Sequence, residues 1–195
     1  MSTTSYASGE MEREIQDIRH RAEVLVRGLT PEHLTQRPEP GKWSIAECLA
    51  HLNRTAAAVQ PFIVKGIERG KKEKLFSKGP FKLGPRGRFL VWLAEPPPKV
   101  RMPAPKSVAP PVAIADPAKL LPDFMRVQDE WVRLMKEAEG LNQARIKMGP
   151  LLSPFRCRLC ASFPWMMAHQ RRHLLQAENV KKKIIPTAQA SSAVA

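Results

Sequence analysis

The sequence predicts an all-α fold: a four-helix bundle with one long connection between its second and third helices. Three observations predict it. Four separate stretches carry apolar residues at alternating three- and four-residue steps, the spacing that gathers them on one face of a helix. No strand-length run of alternating apolar and polar residues competes with them. Between the second and third stretches lies 71–118, which holds ten of the 19 prolines and cannot form long regular structure.

Each element has its own signature. Residues 1–9 are small and polar and are expected to form a flexible terminus, with the domain itself spanning 10–185. Met11, Ile15, Ile18, Ala22, Leu25 and Leu29 make the first helix, with charged residues on its other face. Three prolines and a glycine in 30–42 break it. The second helix starts after Trp43: Ser44 is the N-cap, and Glu47 three residues on completes a capping box. Its seam is Ile45, Leu49, Leu52, Ala56, Val59 and Ile63, and Pro61 should strain the helix without ending it.

The connection 71–118 is unusually long for a helical protein. A crossover explains it, because a long link lets the next helix run parallel to the previous one. Residues 65–88 are densely basic, and GRFLVWLAE within the connection can form a short helix. The third helix is expected from about Pro117 to Leu141, on a seam of Leu120, Phe124, Val127, Trp131, Leu134, Ala138 and Leu141. Gly140 and Asn142 mark its end. The fourth runs from Ser162 to Val180, with Ser162 as cap, Pro164 in the first turn, and Met166, His169, His173, Gln176 and Val180 on the inward stripe. The tail 186–195 is expected to be disordered.

Composition bounds the function. The chain has 195 residues, 43 % of them apolar, enough for one domain with a core. Its 32 Lys and Arg against 18 Asp and Glu give a net charge of +14, which raises anionic partners without selecting one. The start of the chain has no apolar signal-peptide region, and Phe89–Ala94 is far too short to span a bilayer, so a cytoplasmic location is expected. Three cysteines do not suggest a disulfide framework.

Of five histidines, His20 and His33 read as surface residues. His169 and His173 stand one helical turn apart, with Cβ atoms roughly 5–6 Å from each other. His51 sits mid-helix and can face the interior. Three neutral imidazoles with open positions describe a catalytic metal site, although the same residues also suit core or surface histidines bonded to neighbours. A rival set combines Cys157 and Cys160 with His169 and His173 into a zinc site, which would make the protein a basic nucleic-acid module. Its eight-residue spacer, Ala161–Ala168, is short, no hairpin is evident in FRCRLCASFP, and His51 is left unexplained. The basic 65–88 segment lacks the regular aromatic interleaving of a single-strand binder and reads as a solvated connection.

The runs LTPEHLTQRPEPGKWSIAECLAHL and AHQRRHLLQAENV resemble the DinB-like, YfiT-like superfamily. Its W-S-x-x-E-x-x-x-H-L pattern falls on Trp43, Ser44, Glu47, His51 and Leu52. Its H-x-x-x-H-L-x-Q pattern falls on His169, His173, Leu174 and Gln176. The resemblance implies a four-helix bundle and a divalent metal held by His51, His169 and His173, and imidazole ligands suit Zn, Ni or Fe. It also implies thiol-transferase, isomerase or hydrolase chemistry, in some branches with bacillithiol, mycothiol or glutathione. Glu47 is then a candidate base or supporting carboxylate besides its capping role, and Arg172 a candidate contact for an anionic substrate or cofactor. The alternative is a non-catalytic binding protein with a structural or vestigial metal site. The partners expected are a small-molecule substrate and a second copy of the chain, with neither specific nucleic acid nor a membrane.

Overall fold

A computed structural model of the chain describes residues 8–100, 103–152 and 155–185. The order is α1 (Ser8–Val26), α2 (Pro31–Thr35), α3 (Ile45–Lys72), α4 (Pro85–Ala94), a short 3-10 turn (Pro117–Lys119), α5 (Leu120–Glu137), β1 (Lys147–Leu152), β2 (Phe155–Arg158) and α6 (Leu159–Ile184). α1, α3, α5 and α6 form the bundle. Their seams meet in one core centred on Trp131, Phe124 and Phe163, with Ile15, Ile18, Leu49, Ile63 and Leu134 around them.

Polar contacts between the helices fix their directions. Asn53 Nδ2 donates to Leu120 O at 3.1 Å, while Lys71 pairs with Glu137 at 3.7 Å, so α3 and α5 run parallel. Arg21 pairs with Glu178 at 2.9 Å and Glu14 with Arg171, so α1 and α6 are parallel too. Arg19 pairs with Asp129 at 2.7 Å and Glu12 with Lys136 at 3.7 Å, which sets α1 antiparallel to α5. The topology is therefore up-down-down-up, and the 71–118 link is the crossover that permits the parallel middle pair.

α3 begins with the expected capping box. Ser44 Oγ accepts from Glu47 N at 3.1 Å, and Glu47 Oε2 accepts from Ser44 N at 2.8 Å. The helix runs through Pro61, which lies on its solvent face. α4 covers most of the short apolar run seen within the connection.

Several expectations need correction. Ser8 and Gly9 already belong to α1, so the helix starts inside the stretch expected to be flexible. Residues 1–7 and the tail 186–195 lie outside the described residues. α1 stops at Val26, and Gly28 then takes a positive φ of 73°. The 30–42 region is not all loop: Thr30 caps α2, with its Oγ1 accepting from His33 N at 3.3 Å.

A two-stranded antiparallel ribbon, β1 with β2, precedes α6. FRCR alternates apolar and polar residues over only four positions, and KMGPLL, broken by Gly149 and Pro150, does not alternate, so the period-2 signal was too short to read. It forms because α3 gives it room. A Cβ at Gly70 would overlap Ile146 Cδ1, and one at Gly66 would lie 3.3 Å from Met148 Sδ.

β2 leads straight into α6, which therefore starts at Leu159 and not at Ser162. Ser162 does not cap it; its Oγ donates back to Leu159 O at 2.7 Å. Pro164 consequently lies in the helix interior, not the first turn. The first turns of α6 are buried all round. Farther along, the deepest stripe is Met166, Gln170, Leu174 and Ala177, and His169 and His173 stand beside it, turned toward α3.

Candidate metal centre

Two helices supply the candidate ligands. His51 lies in the second turn of α3, a position fixed by the Ser44 cap. His169 and His173 lie one turn apart on α6, which packs against α3. One nitrogen of each of the three lies within 4.8 Å of those of the other two. The His51 and His169 Nε2 atoms are 3.3 Å apart, and the ring centroids are separated by 5.1, 4.6 and 4.6 Å. His51 is buried, whereas His169 and His173 keep part of their surface open.

Proton bookkeeping tests whether these residues suit a cation. Val108 O lies 2.8 Å from His51 Nδ1. A carbonyl oxygen only accepts, so His51 Nδ1 carries the proton and Nε2 presents a lone pair. Gln176 Oε1 lies 3.0 Å from His173 Nδ1 and acts in the same way. An oxygen acceptor behind the ring is the usual support of a metal-bound histidine. His169 Nδ1 is buried and has no hydrogen-bond partner among the described residues. Two Nε2 atoms converge at hydrogen-bond distance, and two of the rings are already locked to present lone pairs. The set fits a divalent cation.

Electrostatics agree. Burial pushes the His51 imidazole below its ordinary range, with Arg54 adding to the drop and the Val108 carbonyl opposing it. His169 is lowered well below that range by burial, then by His173, His51 and Arg172. His173 is lowered to about 3, mainly by burial and then by His51. All three are neutral at pH 7, the form that binds metal.

Three further groups shape the site. The Trp43 ring lies 5.0 Å from that of His51 and stacks on His173 at 5.7 Å. Trp165 stacks on His169 at 5.2 Å. The connection between α4 and the 3-10 turn covers one side. Arg172 donates to Leu93 O and Val100 O, both at 2.9 Å, and Arg54 donates to Ser107 O at 3.3 Å, one residue before Val108. Sequence reasoning assigned no such role to Trp43 or Gln176, although both stand in the quoted runs. Val108 left no sequence signal, because its contribution is a backbone carbonyl.

Glu47 is 5 % exposed, and its carboxylate is engaged in a fixed set of bonds. Arg37 donates to both carboxylate oxygens, and Ser44 N to one of them. Burial raises the Glu47 pKa, but Arg37 and the Ser44 N–H outweigh it and hold the carboxyl below its ordinary range.

The cysteine–histidine rival does not assemble. A hairpin does precede α6, contrary to the sequence expectation. Yet Cys160 and His169 lie roughly 13 Å apart along one helix axis, and Cys157 lies farther back in β2. Both cysteines are packed in apolar surroundings. Burial pushes the Cys157 thiol up to about 12 and raises that of Cys160.

Comparison with known families agrees with the geometry. The family model of the DinB superfamily matches residues 14–177, a span that contains all three histidines and all of the four bundle seams but Met11 and Val180. The chain belongs to the DinB superfamily. No curated protein and no solved structure gives a significant match. Within this DinB-superfamily chain the three-histidine group is the one assembly of metal-ligating side chains found among the described residues, and it can bind a divalent metal ion.

Proposed function

We propose that His51, His169 and His173 together hold one divalent cation, and that the protein is a metal-dependent enzyme of thiol-transfer or hydrolytic type acting on a small molecule. The convergence of the three ligand atoms within 4.8 Å, with two rings locked from behind, carries this reading. A divalent ion there would supply Lewis-acid chemistry toward a thiol, a water or a carbonyl oxygen. The chain does the rest. Val108 and Gln176 orient two imidazoles, Trp43 and Trp165 wall the site with apolar rings, and the open edge of His169 and His173 admits substrate.

Thiol transfer fits because none of the chain's three cysteines offers an accessible thiolate of its own. Cys48, Cys157 and Cys160 are all buried with raised pKa values, so the sulfur would come from a low-molecular-weight thiol. In this reading Glu47 is a structural carboxylate: it caps α3, anchors Arg37 and so fixes where His51 points. Arg172 holds the connection against α6 and keeps the local field positive. Zn, Ni and Fe all suit imidazole ligands. A homodimer in the cytoplasm is compatible with the reading and is not needed by it.

The test is turnover. Protein stripped with a chelator is reloaded with Zn, Ni or Fe(II) and assayed for conjugation of glutathione, bacillithiol or mycothiol to an electrophile, and for hydrolysis of an amide or ester panel. Metal-dependent turnover abolished by His173→Ala is the expected result. Full metal occupancy with no turnover on any panel would leave a binding protein instead.

A further inference from the structure

The connection between α3 and α5 carries an unusual surface that the metal centre does not use. From Lys74 to Ala94 it holds five cationic residues, Lys74, Lys78, Lys82, Arg86 and Arg88, and no acidic one. All five are exposed, and none forms an ion pair among the described residues. Of six exposed large apolar residues among the described ones, five lie in the connection: Phe76, Phe89, Trp92, Val100 and Val112.

α4 divides these properties by face. Its inner side lies against α6, where a Cβ at Gly87 would stand 3.0 Å from Ala161 Cβ, and Leu90, Val91 and Ala94 join the core. Its outer side presents Arg86, Arg88, Phe89 and Trp92. Phe89 and Trp92 are 52 % and 51 % exposed and stack on each other at 5.9 Å. A pair of large aromatics left half in water on the same helix face as Arg86 and Arg88 marks an interaction surface.

We propose that the outer face of α4, with the basic loop before it, docks on an anionic lipid surface. Phe89 and Trp92 would enter the headgroup–acyl boundary while Lys78, Lys82, Arg86 and Arg88 meet lipid phosphates, with the arginine stems spreading along the apolar layer. Charge and shape select this occupant. A second copy would bring the same cations face to face across a two-fold axis. A single nucleic-acid strand needs a groove that follows its backbone, whereas this face is a convex helix whose two rings are stacked on each other. No helix among the described residues is long and apolar enough to cross a membrane, so the association would be at the surface.

The experiment is co-sedimentation of the full chain with phosphatidylcholine vesicles, with and without phosphatidylglycerol, read together with tryptophan emission. Trp131 and Trp165 are buried and Trp43 partly so, which makes Trp92 the main reporter of insertion. Binding only to the anionic vesicles, weakened by salt and accompanied by a blue shift, is expected. Phe89→Ala with Trp92→Ala should abolish the shift and the binding. Arg86→Glu with Arg88→Glu should weaken partitioning roughly thirty-fold or more. Circular dichroism and the bundle's melting temperature should be unchanged in both variants, since all four side chains face outward. The proposal is overturned by absence of binding at low salt, by binding without a Trp92 shift, or by binding that survives in either variant. Two other outcomes also overturn it: Phe89 and Trp92 serving only to join two copies of the chain, or single-stranded RNA binding in place of vesicle binding.

Discussion

Three imidazoles within 4.8 Å of one another, His51 buried and the other two partly so, are favoured in the fold only while they are neutral. Their folded-state pKa values lie below the ordinary 6.5, for His173 at about 3, so below pH 6.5 the unfolded chain takes up protons that the fold refuses. Stability of the metal-free protein is therefore full above that pH and falls as pH drops from about 6.5 toward 3. Urea unfolding at pH 7 and pH 5 should show the loss, and His173→Gln should flatten the slope between them. Glu47 has the same sign in a lower window. Its carboxyl is depressed, so its contribution is present above the ordinary carboxylate range and lost as acid protonates it. Glu47→Gln should cost about 1–3 kcal/mol at pH 7 and much less near pH 3, without changing metal content if its role is structural. At this scale the sequence was informative about the ligand-type side chains and less so about their supports, since Trp43 and Gln176 stand in the motif runs without declaring a role. His51, His169 and His173 could be named from residue type and spacing. Val108 could not, because any residue supplies the same carbonyl.

At the scale of the element, the helices were legible because an apolar seam of period 3.6 needs no knowledge of the partner helix. Their ends were less so. Ser162 looks like a cap in isolation, yet the β2 strand feeds α6 from Arg158 and carries the helix start back to Leu159. The hairpin itself was hard to read, because only the four residues of FRCR alternate, and it depends on the room that Gly66 and Gly70 of α3 leave for Met148 and Ile146. By contrast, the Ser44–Glu47 box was readable at the level of single atoms. Ser44→Ala should lower stability by about 1 kcal/mol in thermal or urea unfolding and leave the fold intact. Gly87→Leu should lift α4 from Ala161, which amide exchange across 85–94 would register as lost protection while α5 stays unchanged.

The whole molecule rests on its crossover. Asn53 meets Leu120 and Lys71 meets Glu137, so the chain leaving α3 must return most of the length of that helix, roughly 27 Å, before α5 can start. The length and proline content of 71–118 made this direction legible, but not the covering role of the segment, which depends on where Val108 and α4 land. Replacing 96–116 by a flexible linker of about 20 residues, long enough to span the gap, should keep the wild-type helical content by circular dichroism and the wild-type elution volume in size-exclusion chromatography. It should also weaken metal affinity about 10–100-fold, because His51 loses its carbonyl support. The central claim is that one cation is held by residues from α3 and α6 and by no cysteine. It is tested most directly by metal stoichiometry, from native mass spectrometry of protein purified without a histidine tag, for the wild type, His51→Ala and Cys160→Ser. One ion per chain in the wild type and in Cys160→Ser, with loss in His51→Ala, is the predicted result; an ion retained in His51→Ala and lost in Cys160→Ser would contradict it.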